Sequence, residues 1–379
     1  MMTPSDAPSP TPPAAGQAPD PRLLALRGEI DAVDRQLLDL INQRARLAQA
    51  VGEVKKHEGS VVFRPEREVQ VIANLKDINP GPLAEASVAP IWREIMAACR
   101  SLETPMRVAY LGPAGTFSEE AALAYFGSSI VRLPCISIDE VFRTTTAGAA
   151  DFGVIPVENS TEGVVARSLD LFLNTPLFII GETSLFVRHN VLRRENRLDG
   201  IEAVVAHPQA LAQCHGWLSQ HLPHAERRPV SSNAEGARLA GQDVSLAALA
   251  STRAANEYGL HVVSPAVQDD AHNRTRFVIA AHPQTQRQPG PSGNDCTSLI
   301  VSVPNEAGAV HDMLMPLKEN GVSMTRFESR PARSGQWEYF FYIDIQGHPD
   351  QPHVARALLG LRQVCTFYRQ LGTYPLDAH

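Results

Sequence analysis

Between residues 22 and 56, Leu26, Ile30, Val33, Leu37, Leu40, Arg44, Leu47, Val51 and Val54 follow one another at steps alternating between four and three. That spacing is a heptad seam running along one side of a single long helix. A lone helix cannot bury such a stripe, so the seam calls for partners, first of all a second copy of itself. Two further helical runs follow, from Glu66 to Leu75 after Pro65 and from about Ser87 to Leu102, separated by the turn Asn79-Pro80-Gly81-Pro82. The pattern therefore predicts an all-helical module over 22–104.

The seam also carries a charge. Arg44 stands where every neighbour is apolar, and a cation there is costly unless paired. Lys55, eleven residues on, returns to within about 20° of the same face. Two cations on one buried face point to an anionic ligand. Arg27 lies about 100° off that face and points to a different site. Cys99 and Glu103, four apart, share a face of the last helix.

The helical module accounts for less than a third of the 379 residues, and the length implies two to four domains. From Arg107 the texture changes to short apolar runs (RVAYLG, DFGVIPVENS, LFIIGETSLFV, EAVVAHPQAL, VSLAALAS, TRFVIAAH) alternating with helical stretches. This predicts an α/β region over 107–282, with two lobes around a cleft and ligand-binding loops at strand ends. Residues 283–296 include PQTQRQPGPSGN, which reads as a linker. Residues 297–372 follow the order βαββαβ, a ferredoxin-like unit. Seven of the 29 prolines fall between Pro4 and Pro21, which predicts a disordered tail over 1–21 with neither secretory nor transit-peptide character.

Composition narrows the function. No apolar run is long enough to cross a membrane, and a net charge of −7 argues against a nucleic-acid binder. Five scattered cysteines without a CxxC fit a reduced, cytoplasmic protein. The histidines lack metal-site spacing, so neither a metal nor another cofactor is expected. The loops LGPAGTFS (111–118), PVENSTEG (156–163), HPQ (207–209) and NRTRF (273–277) gather glycine, hydroxyl and amide residues that suit anion binding through backbone N–H groups.

Three resemblances follow from these motifs. LLALRGEIDAVDRQLLDLINQRARLAQAVGEVKK, with FRPEREVQVI and IWREIMAACRSLE, resembles the chorismate mutase domain, in which two subunits interlock their long helices. The resemblance places substrate contacts at Arg27 (reaching into the partner's site), Arg44, Lys55, Arg64, Arg67, Glu68, Cys99 and Glu103. Arg64 stands where the family form has Asp. Cys99 and Glu103 stand where serine and glutamine are common. The rearrangement needs no nucleophile, only the right conformer and a donor to the breaking ether oxygen. Lys55 donates as it stands, whereas Glu103 donates only when protonated, so mutase activity is expected to fall as pH rises.

PVENSTEG and TRF resemble prephenate dehydratase, two lobes built like a small solute-binding (periplasmic-binding-protein-like) protein. The resemblance assigns catalysis to Thr275, with Arg276 as carboxylate anchor and Thr116, Glu158, Asn159, Ser160, Thr161, His207, Gln209 and Phe277 as further substrate contacts. AGAVHDML and ESRP resemble the ACT regulatory domain. It implies an L-phenylalanine site, shared between paired domains, at Gly308, Ala309, Val310, Glu328, Ser329 and Arg330.

Together these imply a homodimeric or larger enzyme that converts chorismate to prephenate and prephenate to phenylpyruvate under L-phenylalanine inhibition. Two other readings stay open. One is a monofunctional prephenate or arogenate dehydratase with a structural helical module. The other is a non-catalytic amino-acid sensor.

Overall fold

The computed structural model describes residues 20–58, 63–332 and 338–376. The proline-rich tail lies, up to residue 19, outside the described residues. Asp20 accepts from Arg22 N at 2.9 Å and Pro21 opens helix α1 (Pro21–Glu58), a capped start with proline in its first turn. Helices α2 (Pro65–Asp77) and α3 (Glu85–Ser101) complete the helical module, with α3 packed against both α1 and α2. The eight apolar seam residues of α1 remain 50–63% exposed in the single chain. An uncovered stripe of this length forgoes about 1.5–3 kcal/mol for each side chain that full burial would bring.

The α/β region visits two sheets. It first builds β1 (Arg107–Leu111), α4 (Phe117–Phe126), β2 (Val131–Cys135), α5 (Ile138–Thr146), β3 (Phe152–Asn159), β4 (Gly163–Val164), α6 (Ala166–Asn174) and β5 (Phe178–Phe186). The chain then crosses to a second lobe. This comprises β6 (Asn190–Arg193), β7 (Ala203–Ala206), α7 (Pro208–Gln213), α8 (His215–His221), β8 (Glu226–Pro229), α9 (Asn233–Gln242), β9 (Leu246–Ala250), α10 (Thr252–Tyr258) and β10 (His261–Ser264). It returns as β11 (Arg274–Ala281), inserted antiparallel between β3 and β5. The first sheet runs β2-β1-β3-β11-β5, with β4 on β3, and the second β10-β6-β9-β7-β8. Fully buried runs such as Val204–Ala206 and Leu249–Ala250 explain why these strands read as continuous apolar segments.

The last unit is β12 (Asp295–Ser302), α11 (Ala309–Glu319), β13 (Met324–Pro331), β14 (Tyr339–Gln346), α12 (Pro352–Val364) and β15 (Phe367–Pro375), the expected βαββαβ, with sheet order β13-β14-β12-β15. One sheet face packs on α11 and α12 through Leu299, Val301, Met313 and Leu361. The other packs on the first α/β lobe, where Ile300, Tyr342, Leu371 and Tyr374 share a core with Ile155, Val157, Phe172 and Val278. Gly372 makes the approach close enough to exclude a side chain: a Cβ there would lie 2.0 Å from Ile179 O.

The stretch read as a linker is pinned rather than loose. Gln286 is buried and donates to Phe63 O at 2.9 Å, and Gln288 accepts from Thr373 N at 3.1 Å. Phe63, just before α2, sits among Phe126, Phe152 and Tyr125 of the α/β region, with the Arg100 guanidinium 5.0 Å over its ring. Glycine and proline content marks turns but is blind to a glutamine amide that finds a buried carbonyl.

Candidate active sites in the cleft and the helical module

A cavity of about 500 Å³ opens between the two α/β lobes, a size suited to a small metabolite. Thr116, Asn159, His207, Gln209 and Thr275 line it. Thr275 and Asn159 are cross-strand partners on β11 and β3. The Asn159 amide nitrogen donates to Thr275 Oγ1 at 2.9 Å and to Asn273 Oδ1 at 2.8 Å. Its carbonyl oxygen accepts from Thr161 N and Glu162 N, both at 3.0 Å, which folds the STEG turn around it. Because Thr275 Oγ1 accepts from an amide, its own O–H is left to donate.

The network continues to groups that sequence reasoning missed. Asn273 donates to Gln213 Oε1 at 3.1 Å, and His189 Nε2 lies 3.0 Å from the same oxygen. An amide oxygen only accepts, so His189 carries its proton on Nε2 and presents Nδ1 as a buried acceptor without a hydrogen-bond partner. Burial lowers the pKa of the imidazole, which keeps it neutral, although its bond to Gln213 pulls the other way. His189 and Gln213 lie outside the four loops that drew attention, one between β5 and β6 and the other ending α7. A lone polar residue between apolar strands carries no motif to find it by.

Several expected contacts face elsewhere. Successive residues of a strand point to opposite faces, so the neighbours of Thr275 and Asn159, namely Arg276 and Glu158, turn away from the cleft. Arg276 pairs with Glu182 and Asp344 (2.7 Å each), and Glu158 lies 3.1 Å from Arg326. Neither Arg276, expected as the carboxylate anchor, nor Glu158, expected in the cleft, lines the cavity. Phe277 is a buried core residue, 1% exposed. Ser160 accepts from Arg274 N at 2.9 Å and, with Thr161, shapes the turn rather than the cavity wall.

No arginine or lysine lines the cavity among the described residues. Four helix starts border it instead. Thr116, His207, Ser232 and Ser251 cap α4, α7, α9 and α10, and all four caps line the cavity. Helix N-termini favour anions through their free backbone N–H groups.

In the helical module, Glu103 packs against Gly52 of α1, where an added Cβ would lie 2.7 Å from Glu103 Cγ. Glu103 Oε2 is buried without a hydrogen-bond partner. Cys99 is buried, and Arg44 and Lys55 are half-buried on α1. Glu68 pairs with Arg100, and Arg44 also lies close enough to favour its charge. Burial raises the Glu68 pKa, while Arg100 opposes the rise. Arg67 donates to Gln70 at 2.7 Å, and Arg64 is exposed at the start of α2. Arg27 is exposed and stands seventeen residues from Arg44 along one helix, roughly 25 Å away. Within one chain it cannot join this group.

In the last unit, Gly308 caps α11 with a positive φ of 87°, Ala309 is half-buried, and Val310 is exposed. Glu328, Ser329 and Arg330 lie on the edge strand β13, where Arg330 pairs with Asp170 of α6 at 3.1 Å.

Known proteins share this arrangement. Residues 26–104 match the family model for chorismate mutase type II, 108–285 that for prephenate dehydratase, and 297–363 that for the ACT domain. A bifunctional chorismate mutase/prephenate dehydratase of Neisseria gonorrhoeae is 47% identical, with 95% of this chain and 98% of the relative covered. One of Aquifex aeolicus is 38% identical, covering 93% and 98%.

Among solved structures, prephenate dehydratase from Arthrobacter aurescens in complex with L-Phe matches with TM-score 0.65 at 34% identity, covering 71% of this chain and 90% of that one. A chain described as GqqA, a novel type of quorum quenching acylase, matches with TM-score 0.66 at 29% identity, covering 72% and 98%. With all three modules matched in order and relatives alike over nearly their whole length, this chain belongs to the family of bifunctional chorismate mutase/prephenate dehydratases.

Proposed function

We propose that this protein is a cytoplasmic homodimer that carries out both reactions of its family and is inhibited by L-phenylalanine. In the helical module, Arg44, Lys55 and Glu103 hold chorismate in its reactive conformer. Lys55 donates to the breaking ether oxygen. Arg27 enters from the partner's helix, a reading supported by the roughly 25 Å that separates it from Arg44 along α1. The exposed seam supplies the surface on which the two copies pair.

In the cleft, prephenate loses carbon dioxide and its ring hydroxyl. The electron pair of the bond to the departing carboxylate moves into the ring and expels the hydroxyl, which leaves as water once protonated. The observation that carries this reading is the orientation of Thr275. Asn159 donates to its oxygen, so its own proton points at whatever fills the cavity. A threonine hydroxyl is a weak acid, so it orients and relays a proton. The helix starts around the cavity hold the carboxylates.

The same geometry argues against the acyl transfer suggested by the acylase neighbour. A nucleophilic hydroxyl needs an adjacent base, whereas the partner of Thr275 is a donor.

The test follows both products from chorismate, with and without L-phenylalanine. Wild type should release prephenate and phenylpyruvate, and L-phenylalanine should suppress the second. Thr275→Ala should stop at prephenate with mutase intact. Phenylpyruvate from that variant at the wild-type rate would remove Thr275 from the mechanism.

A further inference from the structure

The two residues that form the catalytic wall, Asn159 and Thr275, each have a strand neighbour fastened to the regulatory domain. Behind Thr275, Arg276 donates to Asp344 of β14 at 2.7 Å and to the Tyr374 hydroxyl of β15 at 3.2 Å. It also pairs with Glu182 of β5, and the Tyr374 hydroxyl donates to that carboxylate at 3.2 Å. Asp344 is further held by Ser298 at 2.5 Å. Behind Asn159, Glu158 lies 3.1 Å from Arg326 and 3.8 Å from Arg276.

Arg326 stands on β13, two residues before Glu328, on the strand that carries the expected ligand segment. Its Nη2 is buried without a hydrogen-bond partner, so the clamp has a donor still to place. The pairing of β3 with β11 also slips at this point, between Arg276 and Phe277, which leaves the wall a local irregularity able to absorb a shift.

We propose that Arg276 and Glu158 are positioning residues, and that the clamp Arg326–Glu158–Arg276–Asp344–Tyr374 carries ligand binding on the regulatory domain to Thr275 and Asn159. The inference rests on the reading that L-phenylalanine binds and inhibits this protein. A movement of β13 relative to β14 pulls on Glu158 and Arg276 from behind. It tilts the Asn159–Thr275 hydrogen bond while leaving the cleft's own lining unchanged. Asp344 and Arg326 matter here although neither touches the cavity.

The test uses the full chain with Asp344→Asn, Arg326→Leu and Tyr374→Phe. It measures dehydratase kcat and KM, inhibition by L-phenylalanine, and L-phenylalanine affinity by calorimetry with and without prephenate. Coupling is reciprocal, so in wild type prephenate should weaken L-phenylalanine binding by the same factor as the converse, on the order of 5- to 150-fold.

In the variants L-phenylalanine should still bind, while that factor falls toward one and kcat drops a few-fold at unchanged KM. Mutase activity reports that the variants are folded, and Tyr374→Phe, which removes one hydroxyl, is the mildest of the three. Bound L-phenylalanine that inhibits all three variants as it does wild type would overturn the proposal. So would loss of L-phenylalanine binding itself, which would place these residues in the ligand site. A wild type that neither binds nor responds to L-phenylalanine would overturn the regulatory reading and this inference with it.

Discussion

Asn159 illustrates how much one side chain decides. Its carbonyl folds the STEG turn and its amide sets the direction of the Thr275 hydroxyl. Asn159→Asp replaces that donor with an acceptor, so Thr275 turns its proton to the carboxylate. Dehydratase kcat should fall by about 100-fold or more, the usual worth of a positioned proton donor, with mutase unaffected. Glu103→Gln replaces a carboxylate, which only accepts, with an amide that donates, so the mutase kcat of that variant should differ from wild type at neutral pH, read by following chorismate loss.

His189 gives a stability prediction with a definite sign. Its pKa is lowered on folding by burial, below the ordinary 6.5. The unfolded chain therefore takes up a proton first as pH falls. Its contribution is complete above about 6.5 and is lost on acidification toward the lowered value. Thermal melts from neutral pH downward should show wild type losing more than His189→Asn.

Among elements, β11 organises most of the function. It leaves one lobe's sheet only in sequence: after the whole second lobe it returns between β3 and β5, so the two lobes meet at its first residues. Its alternation places Thr275 toward the cleft and Arg276 toward the regulatory sheet. This period of two was legible in TRF, yet a motif read as a block puts all three residues in one site. Strand β15 shows the packing counterpart. Gly372→Ala forces a methyl group against Ile179 O, so it should cost at least about 1–3 kcal/mol, the usual range for overpacking. The expected result is a lower melting temperature, read by calorimetry on the whole chain.

Across the whole molecule, the three modules are joined by buried contacts rather than strung on tethers. Phe63 seats the helical module in an aromatic cluster of the dehydratase region, and Gln286 ties the connecting segment to the same residue. Phe63→Ala should therefore destabilise the chain by about 3–5 kcal/mol and loosen the module from its neighbour. A lower melting temperature and faster limited proteolysis of the whole chain would report it.

The heptad seam, the alternation of strands with helices and the βαββαβ order were legible because each is a local repeat of hydrophobicity, which a chain must display to fold at all. Asn159, Thr275, His207 and Gln209 were legible as motif residues. The direction each side chain faces, the chain of amides from Thr275 to His189, the helix starts that border the cleft and the fastening of Arg276 to Asp344 were decided only by the tertiary structure. These depend on which residues far apart in sequence come to lie within hydrogen-bonding distance, and no local pattern carries that.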